Sequence, residues 1–341
     1  MIKRILILFF ITDLLLILVG AWLFFGPATN FDEKQKFLYI HSDDANKNAV
    51  LSSLEKDQLI KRTGLFTFLA NRWNVWQKLR PGKYKIEKGT SIFTLARMLR
   101  NNRQEPVNLI ITKLRTKNDF AGLVGRKFET DSASFLHFLN DPKKVAAYGF
   151  DTSTIMTILL PDTYTYFWTA TPEQLMEKLK KQHEKFWNNE RIDKAVQLAL
   201  TPVQVYILAS IVEEETLQAD EKSLIAGVYL NRLRKGMYLG ADPTVKFAVG
   251  DFSLKRILMG HINGTASNPY NTYKNKGLPP GPICTPSAST IDAVLNLQPS
   301  NYLYFCARPD GSGRHAFAET DAEHLKNAKA YQEWLNKAGI R

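Results

Sequence analysis

The longest hydrophobic run of the chain lies at its beginning and predicts a membrane-spanning helix. After Lys3 and Arg4, the residues from Ile5 to Phe25 are almost all apolar, and about 20 such residues suffice to cross a bilayer as a helix. No spacing of small residues typical of a signal-peptide cleavage site follows the run. Because two basic residues precede it, the positive-inside rule places the N-terminus in the cytoplasm and everything after about residue 30 outside. We therefore predict a single-pass anchor in the cytoplasmic (inner) membrane over residues 1–30, with a large domain on its periplasmic or extracellular side.

Asp13 is the one acidic residue in this run. A carboxylate near the middle of a bilayer is costly. Two interpretations stay open: a protonated, neutral side chain, which we favour, or a contact with another helix.

Residues 34–105 form a predicted small α/β unit. The order is strand, helix, helix, strand, helix, with alternating apolar positions in the strands and helical spacing elsewhere. The corresponding segments are KFLYIHS, NAVLSSLEKDQLI, TGLFTFLANRWNV, GKYKIEKG and TSIFTLARMLRNN. This order, with its GKYKIEKGTS exit, resembles the LysM-like unit found in some wall-binding proteins. An ordinary small packing domain of mixed structure explains the pattern equally well.

Residues 106–341 predict a second, mixed domain. PVNLIIT predicts a strand, and the Thr-Pro pairs at Thr171 and Thr201 predict helix starts, because Thr caps a helix and Pro suits its first position. Three further helices, a hairpin and a Pro-rich loop complete the pattern. They are expected at 220–236, 287–298 and 321–337, around Asp310-Gly311, and over 267–286, respectively. The predicted fold class is α+β: a single N-terminal transmembrane helix, a LysM-like small α/β subdomain and a mixed α+β domain.

The composition narrows the class of partner. The 341 residues include 45 Lys and Arg against 33 Asp and Glu, a net charge of +12, and 45% are apolar, so the chain is neither disordered nor collagen-like. This charge suggests an anionic partner: a lipid headgroup, a nucleic acid or a cell-wall polymer. The predicted export excludes nucleic acid, because the charged domain faces outward. Phosphoryl transfer is also disfavoured, since ATP is absent there and the sequence has no glycine-rich phosphate-binding motif.

Metal, thiol and serine chemistry receive no support from the sequence. The six His form no H-E-x-x-H or other short-range metal pair, and no G-x-S-x-G occurs. The two cysteines, Cys284 and Cys306, exclude a disulfide-stapled miniature scaffold. They could pair or remain as buried free thiols; we favour free thiols, because no spacing argument supports a bridge. No cofactor and no metal are expected.

The most informative polar feature is the triplet Glu213-Glu214-Glu215. It ends a predicted helix that is apolar almost all round from Val203 to Val212. Desolvation, like-charged neighbours and the negative end of the helix dipole would each raise a carboxylate pKa there. A carboxylic acid that stays protonated near neutral pH is a general acid, as in glycoside cleavage. On position alone we favour the alternative, in which the triplet marks the solvated end of a helix.

A polar, aromatic stretch shifts that balance towards carbohydrate chemistry. Tyr270, Asn271, Thr272 and Tyr273 precede a Pro-stiffened backbone. Aromatic faces with amide and hydroxyl donors suit sugar rings, which have apolar faces and hydroxyl rims. The alternative is a rigid surface loop.

Four ordered motifs closely resemble the YceG-like family of endolytic murein transglycosylases. The motifs are LASIVEEET, GVYLNRLRKGMYLGADPTVKFAVG, SNPYNTYKNKGLPPGPICTPS and YLYFCARPDGSGRHAF. The resemblance covers Leu159–Arg341 closely and Lys34–Ile158 more loosely. It implies a single-pass inner-membrane enzyme that cuts nascent peptidoglycan strands internally, between N-acetylmuramic acid and N-acetylglucosamine. The product would carry a 1,6-anhydro-muramyl end, and peptidoglycan synthases are possible partners.

The resemblance also implies roles for individual residues of a catalytic domain over 106–341. Glu213 would be the catalytic acid, and Glu215 matches the second motif glutamate. Glu214 stands where many members carry Lys. We expect this additional negative charge to raise the pKa of Glu213. The remaining implied substrate-binding residues are Asn231, Arg232, Asp242, Thr244, Tyr270, Asn271, Thr272, Tyr273 and His315. For Arg232 a structural ion pair, and for His315 a structural hydrogen bond, are equally acceptable interpretations.

Two other functions stay open. A muramidase that uses water would leave a reducing end, whereas the anhydro product is lighter by one water. A non-catalytic peptidoglycan-binding or scaffolding subunit of the cell-wall synthesis machinery would not need Glu213 at all.

Overall fold

A computed structural model describes residues 2–254 and 256–337. The predicted α+β class is confirmed, and the chain divides into two compact units. Unit 1 consists of Met1–Leu109, Gly125–Asp131 and Thr165–Thr171, and unit 2 of Ile110–Val124, Ser132–Tyr164 and Pro172–Arg341. Unit 1 thus includes three segments beyond residue 105, where we expected the first domain to end.

Unit 1 has the predicted order of elements after the N-terminal helix. These are α1 (Ile2–Phe25), β1 (Gln35–Ile40), α2 (Lys47–Lys56), α3 (Thr63–Arg72), α4 (Val75–Lys78), β2 (Gly82–Glu87) and α5 (Ile92–Arg100). β1 and β2 are antiparallel, with Leu38 opposite Tyr84, and both side chains are fully buried. The short helix α4 was not predicted. This order of elements does not by itself confirm a LysM-like unit.

Helix α1 is long and apolar enough to cross a membrane over Lys3–Phe25. Most of its apolar side chains are exposed, Phe10 by 79%. Its C-terminal end is attached to unit 1, because Arg62 Nη1 donates to the Leu23 carbonyl at 3.3 Å. The Arg62 guanidinium also lies 4.5 Å from the ring centre of Trp22. The helix thus contacts the rest of unit 1 through its last turns, and its exposed apolar length is consistent with membrane anchoring.

The remaining elements are two further pairs of strands and eleven α-helices among the described residues. Two strands form a separate two-stranded sheet, β3 (Val107–Ile111) and β4 (Asp162–Tyr166). Five helices precede the central helix: α6 (Lys117–Lys127), α7 (Ser132–Asn140), α8 (Pro142–Ala146), α9 (Pro172–Phe186) and α10 (Asn189–Gln197). The later elements are α11 (Pro202–Glu215), α12 (Lys222–Arg234), α13 (Asp242–Val249), α14 (Met259–Gly264), α15 (Ala288–Leu295), β5 (Tyr304–Ala307), β6 (His315–Ala318) and α16 (Asp321–Lys337).

Helix α11 is the centre of unit 2. Thr201 caps it, accepting a hydrogen bond from Gln204 N while the Gln204 side chain accepts one from Thr201 N, and Pro202 occupies the first position. Eight consecutive residues, 205–212, are buried. Since a helix that is apolar all round must be covered on all sides, α12 and α15 pack against it. The predicted buried helix is confirmed, and its C-terminal turn carries the three glutamates, which are half-buried.

Candidate active site

The three adjacent carboxylates of α11 have three different environments. Successive helical residues are about 100° apart, so Glu213, Glu214 and Glu215 face different neighbours. All three are half-buried. The prediction that they merely mark a solvated helix end is therefore wrong.

Glu213 has one oxygen held by three donors. Its Oε2 accepts hydrogen bonds from Lys222 Nζ at 2.9 Å, from Ser287 Oγ at 3.1 Å and from Thr290 Oγ1. Among the described residues none donates to Oε1. The side chain is 15% exposed. The contacts thus fix the carboxylate through Oε2 and leave Oε1 open.

The starts of two helices supply these donors. Ser287 is the N-cap of α15 and accepts a hydrogen bond from Thr290 N, while Lys222 is the first residue of α12. The chain before Ser287 is fixed to α11, since Ile283 N donates to Ser210 Oγ at 3.0 Å. The N-terminal end of a helix carries partial positive charge, so α15 also favours an anion at this position.

The pKa of Glu213 reflects these contacts. Burial raises it, but hydrogen bonds from Thr290 and Lys222, together with the Lys222 charge, outweigh burial and hold the pKa below the ordinary value. The carboxylate is therefore ionised at neutral pH in the free protein. Our expectation that Glu214 raises the pKa of Glu213 is wrong, because the cation Lys222 is in direct contact and dominates.

Glu214 is neutralised by two cations from the segment before α6. Lys113 Nζ lies 2.9 Å from Oε1, and Arg115 Nη2 lies 3.2 Å from Oε2. Burial raises the pKa of Glu214, and these two partners lower it by more. Neither basic residue was identified from the sequence, since they precede Glu214 by about a hundred positions.

Glu215 is the one member of the triplet with a raised pKa. Burial raises it to about 7, and the nearby Asp242 adds to this effect. The buried Tyr229 hydroxyl donates to Oε1, and Arg232 also favours the ionised form, but neither compensates for burial. The raised pKa that we predicted for the triplet is therefore found at its last member.

Asn231 and Arg232 hold backbone segments. Asn231 Nδ2 donates to the carbonyls of Ser300 and Tyr302, at 2.8 and 3.0 Å. Arg232 donates to the carbonyls of Leu303 and Leu239, at 2.6 Å each. These contacts fix the chain before β5 and, through Leu239, the chain before α13. Direct contact of either residue with substrate stays a prediction. The structural ion pair suggested for Arg232 also stays a prediction.

Three of the expected sugar-contacting residues are internal. Thr244, Asn271 and Thr272 are at most 1% exposed. Asn271 Nδ2 donates to the Ile262 carbonyl at 2.8 Å, and its Oδ1 accepts from Tyr273 N at 3.0 Å. The hydroxyls of Thr244 and Thr272 are 2.8 Å apart. In this structure the threonine pair holds the 270–273 turn against α13, Asn271 holds it against α14, and none of the three side chains faces solvent.

The two tyrosines of the turn are half-buried. Tyr273 donates to Asp242 Oδ1 at 2.7 Å, at the first residue of α13. Tyr270 packs against Phe247, with ring centres 4.6 Å apart. Tyr270 and Phe247 form one wall of a cavity of about 480 Å³ in unit 2, which also reaches Arg115 and therefore lies near the end of α11. Tyr270 is thus one of the predicted substrate-binding residues that line an open cavity.

His315 has a structural partner that was not predicted. Its Nδ1 lies 2.8 Å from Glu221 Oε2, and its backbone N donates to Glu221 Oε1 at 2.9 Å. Glu221 is 3% exposed and immediately precedes Lys222. This agrees with the interpretation of His315 as a structural hydrogen-bonding residue. It also links β6 to Glu221, which is next to Lys222, the residue that contacts Glu213.

Both cysteines are free, as we favoured, but only Cys284 is buried, whereas Cys306 is half-buried. Cys284 is buried and lies 3.4 Å from the Ser210 carbonyl. Burial raises its pKa far above the ordinary thiol value. The thiol is therefore protonated and fills space beside α11.

A group of possible metal ligands lies in unit 1. His41, Asp43 and Glu129 bring one ligand atom each within 4.8 Å of one another. Glu129 already accepts from Ser42 N at 2.7 Å and from Ser42 Oγ at 2.5 Å. A sequence search for short-range ligand pairs could not find this group, because Glu129 is 88 residues from His41.

Comparison with known proteins agrees with the four ordered motifs. The profile of the YceG-like family matches residues 38–330. The endolytic murein transglycosylase of Streptococcus pneumoniae serotype 2 is 27% identical over 314 residues, covering 84% of this chain and 56% of that protein. The endolytic murein transglycosylase of Bacillus subtilis is 35% identical over 176 residues, 51% of this chain and 47% of that protein. The chain therefore spans about half the length of the curated relatives it matches.

A solved structure is also similar. The crystal structure of a yceG-like protein from Listeria monocytogenes aligns with a TM-score of 0.57 at 26% identity, covering 86% of this chain and 99% of that one. The family profile extends from the first strand of unit 1 into the last helix of unit 2. The chain belongs to the YceG-like family.

Proposed function

We propose that the protein is a lytic transglycosylase that cuts peptidoglycan strands internally, between N-acetylmuramic acid and N-acetylglucosamine, and leaves a 1,6-anhydro-muramyl end. The observation that carries the proposal is the Glu213 carboxylate, with Oε2 held by three donors and Oε1 open. A carboxyl group fixed in this way suits proton transfer to a glycosidic oxygen. The relatives named endolytic murein transglycosylases support the proposal.

In the proposed mechanism Glu213 acts first as an acid and then as a base. Protonated on Oε1, it donates its proton to the glycosidic oxygen as the bond from C1 breaks. An oxocarbenium-like centre develops at the muramyl C1. The carboxylate then accepts the proton of the C6 hydroxyl of the same sugar, and that oxygen bonds to C1. The acid is regenerated and no water is consumed.

The lowered pKa of Glu213 sets a condition on this mechanism. In the free protein Lys222 favours the ionised form. A sugar lying over Oε1 would exclude water from the carboxylate, and desolvation favours the protonated form. We therefore expect Glu213 to take up its proton together with the substrate.

The geometry favours one catalytic carboxylate over two. Glycosidases that use water place two carboxylates on either side of the bond that they cut. Glu213 and Glu215 are two positions apart, about 200° around the helix. Glu213 contacts Ser287 and Thr290, whereas Glu215 contacts Tyr229. Two carboxylates that face different sides of a helix do not suit a single bond, so closure by the C6 hydroxyl is the better explanation.

We also propose the location and setting of the reaction. Helix α1 would be a single-pass anchor in the cytoplasmic membrane, with the catalytic domain on the periplasmic or extracellular side, where peptidoglycan is made. Residues 34–105 of unit 1 would be the LysM-like subdomain that holds glycan near the membrane. Their two antiparallel strands, separated by short helices and followed by α5, support this. An enzyme that ends nascent strands works beside the synthases that make them, and these are the protein partners we expect.

The test uses the full-length protein in detergent with purified glycan strands, and mass spectrometry of the products. We expect internal fragments with 1,6-anhydro ends, and Glu213→Gln should reduce their rate about 10³-fold, since general acid catalysis contributes about 10²–10⁴. Glu184→Gln, on the exposed side of α9, is the matched control and should behave as wild type. Reducing ends would instead indicate a muramidase that uses water. No cleavage of nascent or mature strands by the folded protein would indicate a non-catalytic wall-binding subunit.

A further inference from the structure

The cavity of about 480 Å³ beside Tyr270 has a charge pattern that the proposed cleavage chemistry does not use. Two charged side chains line it, Arg115 and Lys117, and both are basic. Its other described lining residues are neutral. The volume is within the range of pockets that bind small ligands, about 300–1,000 Å³.

Lys117 is a half-buried cation with neutral partners. Its ammonium donates to Asn140 Oδ1 and, at 3.0 Å, to the Thr152 carbonyl. No carboxylate among the described residues lies within ion-pair distance of it. An ammonium has three donors, so one donor remains. Burial lowers the pKa of Lys117, and the charge of the nearby Asp151 offsets this only in part. An anionic ligand in the cavity would relieve the remaining cost of burying the ammonium.

Arg115 has donors to spare on the same side. Only its Nη2 is used on Glu214, at 3.2 and 3.3 Å to the two carboxylate oxygens. Phe252 packs on the guanidinium, 4.8 Å from ring centre to Cζ, and fixes its plane. No described residue accepts from Nε or Nη1. A planar guanidinium suits a carboxylate.

The two acidic residues near the cavity already accept hydrogen bonds from neighbouring groups. Asp151 accepts from Ser153 N at 2.8 Å and from Ser153 Oγ at 2.6 Å. Asp119 accepts from the backbone of Arg115 and Thr116 at the start of α6. Neither carboxylate lines the cavity, so the charged side chains that a ligand would contact are basic, although Asp151 lies near enough to act on Lys117.

Another part of the cavity wall is aromatic. Phe247 and Tyr270 pack against each other at 4.6 Å, and aromatic side chains suit the apolar face of a sugar ring. A ligand that matches both walls has a sugar ring and a carboxylate on the same small molecule. Muramic acid has this chemistry, since its lactyl group or the peptide attached to it ends in a carboxylate, and N-acetylglucosamine does not.

We propose that this cavity is a binding site for the carboxylate-bearing substituent of a muramyl unit, with Lys117 and Arg115 as the residues that bind the carboxylate. The proposal rests on the proposed function for the identity of the glycan. It adds the prediction that the protein distinguishes charged from neutral substituents, which cleavage by Glu213 alone does not require.

The test is binding of small muramyl probes, which are not cleaved, measured by calorimetry or NMR on the full-length protein. The probes are N-acetylmuramyl-L-alanyl-D-isoglutamine, its uncharged amide, N-acetylmuramic acid with a free lactyl carboxylate, and N-acetylglucosamine. We expect the charged dipeptide to bind about tenfold more tightly than its amide, because a hydrogen bond to a charged group is among the stronger ones. Tighter binding of N-acetylmuramic acid in place of the dipeptide would assign the carboxylate to the lactyl group.

Lys117→Met should remove the difference between the charged and uncharged probes, while Lys326→Met on α16 should keep it. Asn140→Asp is a second variant, which places a carboxylate on Lys117 without removing the side chain, and should have the same effect. Equal binding of charged and neutral probes to wild type, no binding of any muramyl probe, or a difference that survives in both cavity variants would overturn the proposal. The outcome does not depend on cleavage, so a protein that binds charged probes but releases no anhydro products would refute the proposed function alone.

Discussion

Two polar clusters of unit 2 differ in how completely their side chains are hydrogen-bonded. At the end of α11, Glu213 has three donors on one oxygen and none of the described residues on the other. In the 270–273 turn, Asn271 has partners on both its amide nitrogen and its carbonyl oxygen, and is fully buried. The first cluster thus has a carboxylate oxygen without a donor among the described residues, whereas both polar atoms of the Asn271 amide have partners.

The difference separates residues that can act on a substrate from residues that stabilise the fold. A group can act on a substrate only through an atom that the protein leaves open, whereas a buried group with all its partners stabilises the fold. Polarity in the sequence does not distinguish the two. The comparison predicts that changes in the turn reduce stability, and that changes around Glu213 reduce rate.

The largest effect on stability is expected for Asn271→Ala. The substitution leaves the Ile262 carbonyl and Tyr273 N without partners in a buried site, which costs about 3 kcal/mol. Denaturant unfolding should show this loss, while kcat per folded molecule stays near the wild-type value. Lys274→Ala, an exposed neighbour, is the control. A large fall in kcat with unchanged stability would mean that Asn271 contacts substrate after all.

A smaller effect, dependent on pH, is expected for Glu215→Gln. The folded pKa of Glu215, about 7, is above its unfolded value, so wild-type stability falls as pH rises from the unfolded pKa through about 7. Glutamine can still accept from Tyr229 and carries no charge. Relative to wild type, the variant should therefore gain on the order of 2 kcal/mol between pH 5 and 8. Parallel stability curves for the two proteins over this range would show that Glu215 has no raised pKa.

The smallest expected effect is the shift of a pH profile by Lys222→Met. Removing the ammonium that lowers the pKa of Glu213 should raise that pKa, because an opposite charge favours the ionised form. As pH rises, kcat/KM should fall when Glu213 loses its proton. In the variant this fall should occur at higher pH. The maximum should fall about tenfold, since a hydrogen bond to a charged group is lost.

The matched control is Lys235→Met, at the exposed end of α12, which should reproduce the wild-type profile. A fall that stays in place or moves to lower pH in the Lys222 variant would contradict the assignment of Lys222 as the partner that sets the protonation of Glu213.

Local patterns predicted most elements but not the partners within the site. The apolar run of α1 and the Thr201-Pro202 start of α11 were found because caps and periodicity are local signals. Lys222, Ser287 and Thr290 are 9, 74 and 77 positions from Glu213, and only the folded chain brings them together. Neighbours that are distant in the sequence also determine the burial of Asn271. The same is true of the pKa difference between Glu213 and Glu215.

The origin of the oxygen in the product tests the account most directly. Glycan strands are cleaved by the full-length protein in water enriched in ¹⁸O, and the new muramyl ends are weighed by mass spectrometry. The account predicts unlabelled anhydro ends, because the C6 hydroxyl supplies the oxygen that bonds to C1 and Glu213 alone moves the proton. Incorporation of ¹⁸O at C1 during cleavage would contradict it, since water would then be the nucleophile and a second carboxylate would be required.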